Sequence, residues 1–259
     1  MIYLKQRLIS AVVALAILVP LIIVGGIYLK VAFSIIAVFA LFEILRASSV
    51  NNKYPEIIKY ISYVFIFLYV LLDINIALKV IIPFLVLSVF LLFFDKDKYN
   101  IESFSFVMFS LIFIGTVFSY LVSIRNIDIN LFICMFLITI LTDTFAYIGG
   151  KMFGKYKLIP KVSPNKTIEG SIIGSVFGTI IPSIFYLFMV DPGKNFIVIL
   201  LVVFVLSILG QIGDLFFSSI KRYYGIKDYS NIMPGHGGVL DRLDSIIFVT
   251  IGYMLIMSL

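Results

Sequence analysis

Apolar residues run along this chain in long blocks broken by short polar connections. Neither the two-residue alternation of a half-buried strand nor the narrow stripe of a surface helix describes them. The blocks cover Leu8–Gly25, Val31–Leu45, Tyr60–Leu72, Val80–Phe94, Phe104–Ile124, Ile129–Ile148, Ile168–Val190, Phe196–Gly213 and Ser245–Leu259. Most approach the roughly 20 residues of helix that cross a bilayer, and a helix satisfies its own backbone where no water can do so. The pattern predicts an all-α, polytopic integral membrane protein with about nine transmembrane helices. The third, fourth and ninth blocks are short, so those helices either extend beyond their apolar runs or thin the bilayer locally. Lys5 and Arg7 before the first block and Gly25-Gly26 after it imitate a secretory signal peptide. No small-x-small cleavage site is obvious, and the later blocks span the bilayer whatever becomes of the first.

Composition agrees: 62% of residues are hydrophobic and 13% charged, against about 45–50% and about 25% in soluble domains. That excludes a water-soluble globule. The net charge of +6 is informative by position, because Lys and Arg near span ends stay in the cytoplasm. With the N-terminus inside, all of the 20 Lys and Arg except Lys30, Lys79, Arg125 and Lys194 fall on cytoplasmic segments. The chain is therefore expected in the cell membrane, multi-pass, with its N-terminus and its polar C-terminal loops in the cytoplasm. Cys134 lies alone in an apolar block, so no disulfide or redox chemistry is suggested.

Two regions of one membrane domain are expected. Residues 1–126 read as an apolar transmembrane scaffold whose single midspan acid, Glu43, stands three residues before Arg46 at the spacing of a helical ion pair. Residues 127–259 carry the chemistry, concentrated in the polar connections Gly149–Thr167 and Lys221–Asp244. Between them, Gly170, Gly174 and Gly178 make a small-residue stripe suited to close helix packing in lipid. Ser163-Pro164 reads as the N-cap and first-turn pair of the seventh helix. That N-terminus would offer backbone N–H groups to a phosphate.

An ionisable group inside a span is costly unless paired, hydrated or metal-bound, so Asp143 and Asp214, at the ends of apolar blocks, are functional candidates. The plainer alternative, a simple pairing with a neighbouring Lys, stays open for both. A helix continuing past Asp214 places Asp214, Ser218 and Lys221 on one face with Arg222 beside them. The densest polar stretch follows: Lys227-Asp228, Pro234-Gly235-His236-Gly237-Gly238 and Asp241-Arg242-Leu243-Asp244. Carboxylates that hold a divalent cation, together with Lys and Arg that neutralise polyphosphate charge, suit phosphoryl or nucleotidyl transfer, with magnesium the expected ion. His236 without a Cys or second His makes a poor zinc site. Gly149 to Lys155 has P-loop spacing, but Tyr156 stands where Ser or Thr should bind magnesium, and a membrane span precedes it. Its neighbours Lys151, Lys155, Lys157 and Lys161 would attract anionic lipid at about 1 kcal/mol each. A cation transporter would spread its acids along a path through the bilayer, whereas these gather at one face.

The run Ser218-x-x-Lys221-Arg222-x4-Lys227-Asp228-x5-Pro234-Gly235-His236-Gly237-Gly238-x2-Asp241-Arg242-x-Asp244 resembles, without a gap, the signature of phosphatidate cytidylyltransferases. Thr142-Asp143-Thr144-x-Ala146-Tyr147-x-x-Gly150-Lys151-x-Phe153-Gly154-Lys155 and Ser163-Pro164-x-Lys166-Thr167-x-Glu169-Gly170 resemble that family's upstream blocks in the expected order. The resemblance implies a multi-helical membrane nucleotidyltransferase, often a homodimer, that joins CTP to phosphatidic acid in phospholipid biosynthesis and releases pyrophosphate. It places cations on Asp214 and Asp241, with Mg2+ as the divalent ion and a monovalent cation such as K+ beside it. Around that pair we assign Asp244 a supporting metal role, and Lys221, Arg222, Lys227 and Arg242 contacts to phosphates. Lys166 and Glu169 are expected to complete the site from the seventh helix. Ser218, Asp228, His236, Gly237 and Gly238 are expected to line the substrates, and Asp143 either to support the metal ligands from behind or to serve the lipid-phosphate side. No nucleic-acid partner is expected. A CTP-dependent lipid-alcohol kinase would use comparable sites; a CDP-alcohol phosphotransferase would need an Asp-Gly-x-x-Ala-Arg block that is absent.

Overall fold

The structure, a computed structural model, describes residues 2–50, 52–72, 74–94, 99–235 and 237–257. Its helices are α1 Ile2–Val24, α2 Gly26–Ser48, α3 Glu56–Leu71, α4 Ile74–Phe94, α5 Ile101–Ile127, α6 Ile129–Phe153, α7 Ile168–Met189, α8 Phe196–Tyr223 and α9 Leu240–Met257. The described residues of each apolar block lie in one of them, apart from Gly25, Leu72 and Val190 at block ends, and the all-α polytopic membrane architecture holds. Among the described residues five helices, α2, α5, α6, α7 and α8, are long and apolar enough to cross a membrane. The fourth block was short only because its helix starts before the apolar run, so that α4 reaches 21 residues. α3 has 16 residues and α9 has 18.

Sequence reasoning misplaced one element. Ser163-Pro164 does not open a helix: Ser163–Thr167 is a strand, β2, paired antiparallel with β1, Lys157–Ile159. Proline lacks an N–H and holds an extended φ, which suits this two-stranded edge. The cap of α7 is Thr167, in extended conformation, whose hydroxyl accepts the Gly170 N–H at 3.1 Å. The upstream boundary also moves, because α6 continues to Phe153 and its last turn takes up Gly149, Gly150 and Lys151. The P-loop spacing therefore falls on a helix end, with no phosphate-cradling loop.

The chain divides into two compact units. One comprises Met1–Asn126 with Tyr224–Arg242, the other Ile127–Tyr223 with Leu243–Leu259. In the first, α2 packs on α1 and α3, and α3 on α4, around buried Leu29, Leu41, Ile58, Tyr69 and Phe118. Phe33 meets Phe118 edge-on at 6.0 Å. Gly115 leaves room for the Tyr69 ring, whose hydroxyl lies 2.9 Å from Thr116 Oγ1. The α1–α2 turn is pinned by α5: Arg125 donates to the Ile22 and Ile23 carbonyls, both at 2.5 Å, and Asn126 Oδ1 accepts the Gly26 N–H at 3.2 Å. A cation on orphan C-terminal carbonyls and an amide on a first-turn N–H satisfy groups that lipid cannot. Gly25 is needed there, with φ of 69° and the Arg125 guanidinium where a Cβ would stand.

In the second unit α6 and α7 lie backbone to backbone along the glycine stripe. A Cβ at Gly170 would sit 2.5 Å from the Ala146 carbonyl oxygen, and one at Gly174 would sit 2.6 Å from that of Thr142. Packing is thus the stripe's role. Phe145 and Phe177 stack across the same seam at 4.4 Å, and Thr142 Oγ1 meets Ser207 Oγ of α8 at 3.0 Å. Glycine also seats α9 on α8, since a Cβ at Gly213 would lie 2.7 Å from the Asp244 carbonyl oxygen. Gly174→Ala forces a methyl onto a backbone oxygen that cannot yield. It should destabilise the protein by about 1–3 kcal/mol, read as a lower midpoint of thermal unfolding in detergent.

Candidate active site

In the second unit α8 runs unbroken through Asp214 to Tyr223, which aligns Asp214, Ser218 and Lys221 on one face as the spacing predicts. Ser218 Oγ donates to Asp214 Oδ1 at 3.2 Å. Lys166 pairs through its ammonium with the other oxygen, Oδ2. It does so from strand β2, one residue before the Thr167 cap, not from helix 7 as expected. The hairpin exists to make that reach possible: it carries Lys166 ahead of the α7 N-terminus and against α8.

Two further acids join this cluster. Asp143 of α6 accepts from Ser245 Oγ at 3.4 Å and lies in electrostatic range of Asp214 and Lys166. Asp244 of α9 lies in range of Asp214, Asp143 and Lys221, and both Asp244 and Lys221 are buried, at 9% exposure. Three carboxylates thus share two ammonium groups at the end of otherwise apolar helices, an arrangement poor in positive charge. Among the described residues no three His, Cys, Asp or Glu side chains are placed to hold a metal ion together. The donor set still fits magnesium, a hard ion that takes one or two carboxylates and leaves the remaining positions to phosphate and water.

A neutral network braces the cluster from behind. One turn before Asp214, Gln211 donates through Nε2 to Ser175 Oγ at 2.7 Å and to the Ser171 carbonyl at 3.3 Å, while its Oε1 accepts from Ser171 Oγ. Every polar atom of that buried amide is engaged, so α7 and α8 are fixed in register where Asp214 emerges. Arg222 Nε donates to the Val162 carbonyl at 3.2 Å and ties the hairpin turn to the end of α8. Glu169, in the first turn of α7, accepts the backbone N–H groups of Lys155 at 3.1 Å and Tyr156 at 3.2 Å. Its carboxylate organises the chain entering the hairpin.

In the first unit the glycine-rich loop is held by two carboxylates. Asp241 Oδ2 accepts the N–H groups of Tyr229 and Gly238, each at 2.9 Å. Glu43 of α2 accepts Ser230 Oγ at 2.5 Å and the Val239 N–H at 2.8 Å on Oε1, and the Leu240 N–H at 2.8 Å on Oε2. The expected Glu43–Arg46 pair does not form: Glu43 is fully buried and Arg46 is exposed. A buried carboxylate does better against the unsatisfied N–H groups at the start of α9 than against a cation that snorkels into water. The loop's glycines fit this arrangement. Gly237, with φ of 83°, bridges Met233, and a Cβ on Gly238 would come within 2.5 Å of Glu43 Oε1. Ser10 of α1 donates to the Pro234 carbonyl at 3.0 Å. Lys227, Asp228 and Arg242 are exposed; His236 lies outside the described residues.

Sequence reasoning missed Glu43, Gln211, Ser171, Tyr229 and Ser230. For Glu43 there was a signal, since an acid in midspan is costly wherever it goes. For Gln211 and Ser171 a polar side chain inside an apolar helix was the only trace, and Tyr229 and Ser230 lie in a loop where nothing local sets them apart.

The cytidylyltransferase family matches residues 5–259 of this chain. A phosphatidate cytidylyltransferase of Staphylococcus haemolyticus (strain JCSC1435) is 39% identical over 254 residues, which cover 95% of each chain. Those of Staphylococcus aureus (strain COL) and Staphylococcus epidermidis (strain ATCC 12228 / FDA PCI 1200) are each 37% identical over 252 residues, again 95% of both chains. Aligned end to end with these relatives and matched by the family over nearly its whole length, the chain belongs to the cytidylyltransferase family.

Proposed function

We propose that this membrane protein transfers CMP from CTP to phosphatidic acid, yielding CDP-diacylglycerol and pyrophosphate in phospholipid biosynthesis. The observation that carries the reading is full-length similarity to relatives named phosphatidate cytidylyltransferase. The grouping of Asp143, Asp214, Asp244, Lys166 and Lys221 at one end of the second unit supports it.

The nucleophile, a phosphate oxygen of phosphatidic acid, is already anionic and needs little help from a base. It forms a bond to the α-phosphorus of CTP, and the bond from that phosphorus to the oxygen bridging to the β-phosphate breaks, so pyrophosphate leaves with the electron pair. The barrier is electrostatic, because two polyanions meet and charge gathers on the leaving group. Lys221, Arg222, Lys227 and Arg242 are the cations proposed to take up that charge. Lys166 orients Asp214 through one oxygen, and Ser218 fixes the other. Asp214 and Asp241, supported by Asp244, are the proposed ligands of Mg2+, which when bound would offset phosphate charge, with a monovalent cation such as K+ beside it. Glu169 supports the hairpin that carries Lys166, while Asp228, His236, Gly237 and Gly238 are proposed to line the nucleotide and Asp143 the lipid phosphate. The same reading puts the N-terminus and polar loops in the cytoplasm and makes the enzyme a homodimer.

The deciding assay follows pyrophosphate release from labelled CTP and phosphatidic acid in detergent. Product should require both substrates and Mg2+, should vanish with EDTA, and should not form with a polyprenol in place of phosphatidic acid. Asp214→Asn and Asp241→Asn should each lower kcat by more than about 100-fold in protein that still unfolds cooperatively. Lys166→Ala should cost about 10–100-fold. Full activity in either aspartate variant removes the metal assignment. For orientation, a cysteine at position 194 in a Cys134→Ala background should react with an impermeant maleimide on intact cells, while one at position 161 should react only after lysis.

A further inference from the structure

The two carboxylates of the first unit interleave on the same two stretches of chain. Tyr229 gives its N–H to Asp241, and the next residue, Ser230, gives its hydroxyl to Glu43. Gly238 gives its N–H to Asp241, and the next two residues give theirs to Glu43. Glu43 therefore clamps the two strands of the loop together and caps the helix whose first turn contains Asp241. It does this from α2, 196 residues away from Val239 in sequence. Ser62 on α3 and Ser34 on α2, two buried hydroxyls of that bundle, are satisfied by carbonyls of their own helices.

We propose that Glu43 is a positioning residue for CMP transfer: its carboxylate fixes segments 229–230 and 238–240, and through them the direction in which Asp241 points. Its partners are two backbone N–H groups and the Ser230 hydroxyl. An amide keeps one acceptor oxygen and turns its NH2 toward a backbone N–H, that of Leu240 or that of Val239 according to its orientation, so the loop should come loose while the bundle stays folded. Gly238 follows from the same contact, because an alanine there would drive its methyl into the Glu43 carboxylate.

The activity consequence rests on the CMP-transfer reading above; the loop consequence does not, and the two are measured separately. Hydrogen–deuterium exchange on full-length protein in detergent, compared between wild type and Glu43→Gln, should show at least about tenfold faster exchange in peptides covering 228–241. Exchange in α6 and α7 should be unchanged. In the same preparations kcat for CDP-diacylglycerol formation should fall at least about tenfold, with KM for phosphatidic acid moving less than about threefold, and Glu43→Asp should recover part of the loss. Ser230→Ala, which removes one of the three donors, should shift both readouts the same way by a smaller factor. That variant decides the matter if Glu43→Gln does not fold. Unchanged exchange over 228–241, faster exchange spread evenly over the whole chain, or a loosened loop with unaltered kcat would each overturn the proposal. Wild-type protein that makes no CDP-diacylglycerol would instead refute the CMP-transfer reading and leave the exchange comparison standing.

Discussion

A carboxylate carried on a membrane helix has to be compensated where it lies, because lipid cannot solvate it and the helix's backbone N–H groups are already engaged. The polar architecture of this chain follows from that constraint. Asp214 is met by an ammonium and a hydroxyl, Asp241 by two backbone N–H groups, and Glu43 by two N–H groups and a hydroxyl. Each solution recruits a different segment. Lys166 needs a hairpin to carry it, the donors to Asp241 need a glycine loop, and the donors to Glu43 need the start of a helix. The irregular parts of the protein are those that supply compensation.

This view explains what the sequence disclosed. Helices were legible because lipid leaves a chain one way to satisfy its backbone, so apolar length alone marks them. The shared face of Asp214, Ser218 and Lys221 was legible because it follows from helical period once α8 is known to continue. The glycine stripe was legible as packing for the same reason. The hairpin was not: Lys157–Ile159 and Ser163–Thr167 are short, polar and without alternation, and their strand character comes from pairing with each other. Ser163-Pro164 matched a helix start locally, and only the tertiary pairing overrode it. Glu43 was misread because Arg46 offered a local partner at the right spacing, while the true donors lie on a distant loop whose backbone amides leave no mark in sequence.

The catalytic reading draws on the same electrostatics. In the second unit Asp143, Asp214 and Asp244 lie in electrostatic range of one another, with Lys166 acting on Asp143 and Lys221 on Asp244. Among the described residues none are grouped to cage an ion. On the CMP-transfer reading, carboxylates and nucleotide phosphates together would make up the ligands of the proposed ion. Binding of metal and of CTP should therefore be mutually dependent, with the same coupling free energy in both directions.

Titrating Mn2+ as a spectroscopic stand-in for Mg2+ into the purified chain, with and without CTP, measures that dependence directly. The electrostatic account predicts weak ion binding by the chain alone and binding tightened beyond that of free CTP by at least about tenfold when chain and nucleotide are both present. Tight binding without nucleotide, or an affinity that the chain does not raise above that of CTP in solution, would contradict it.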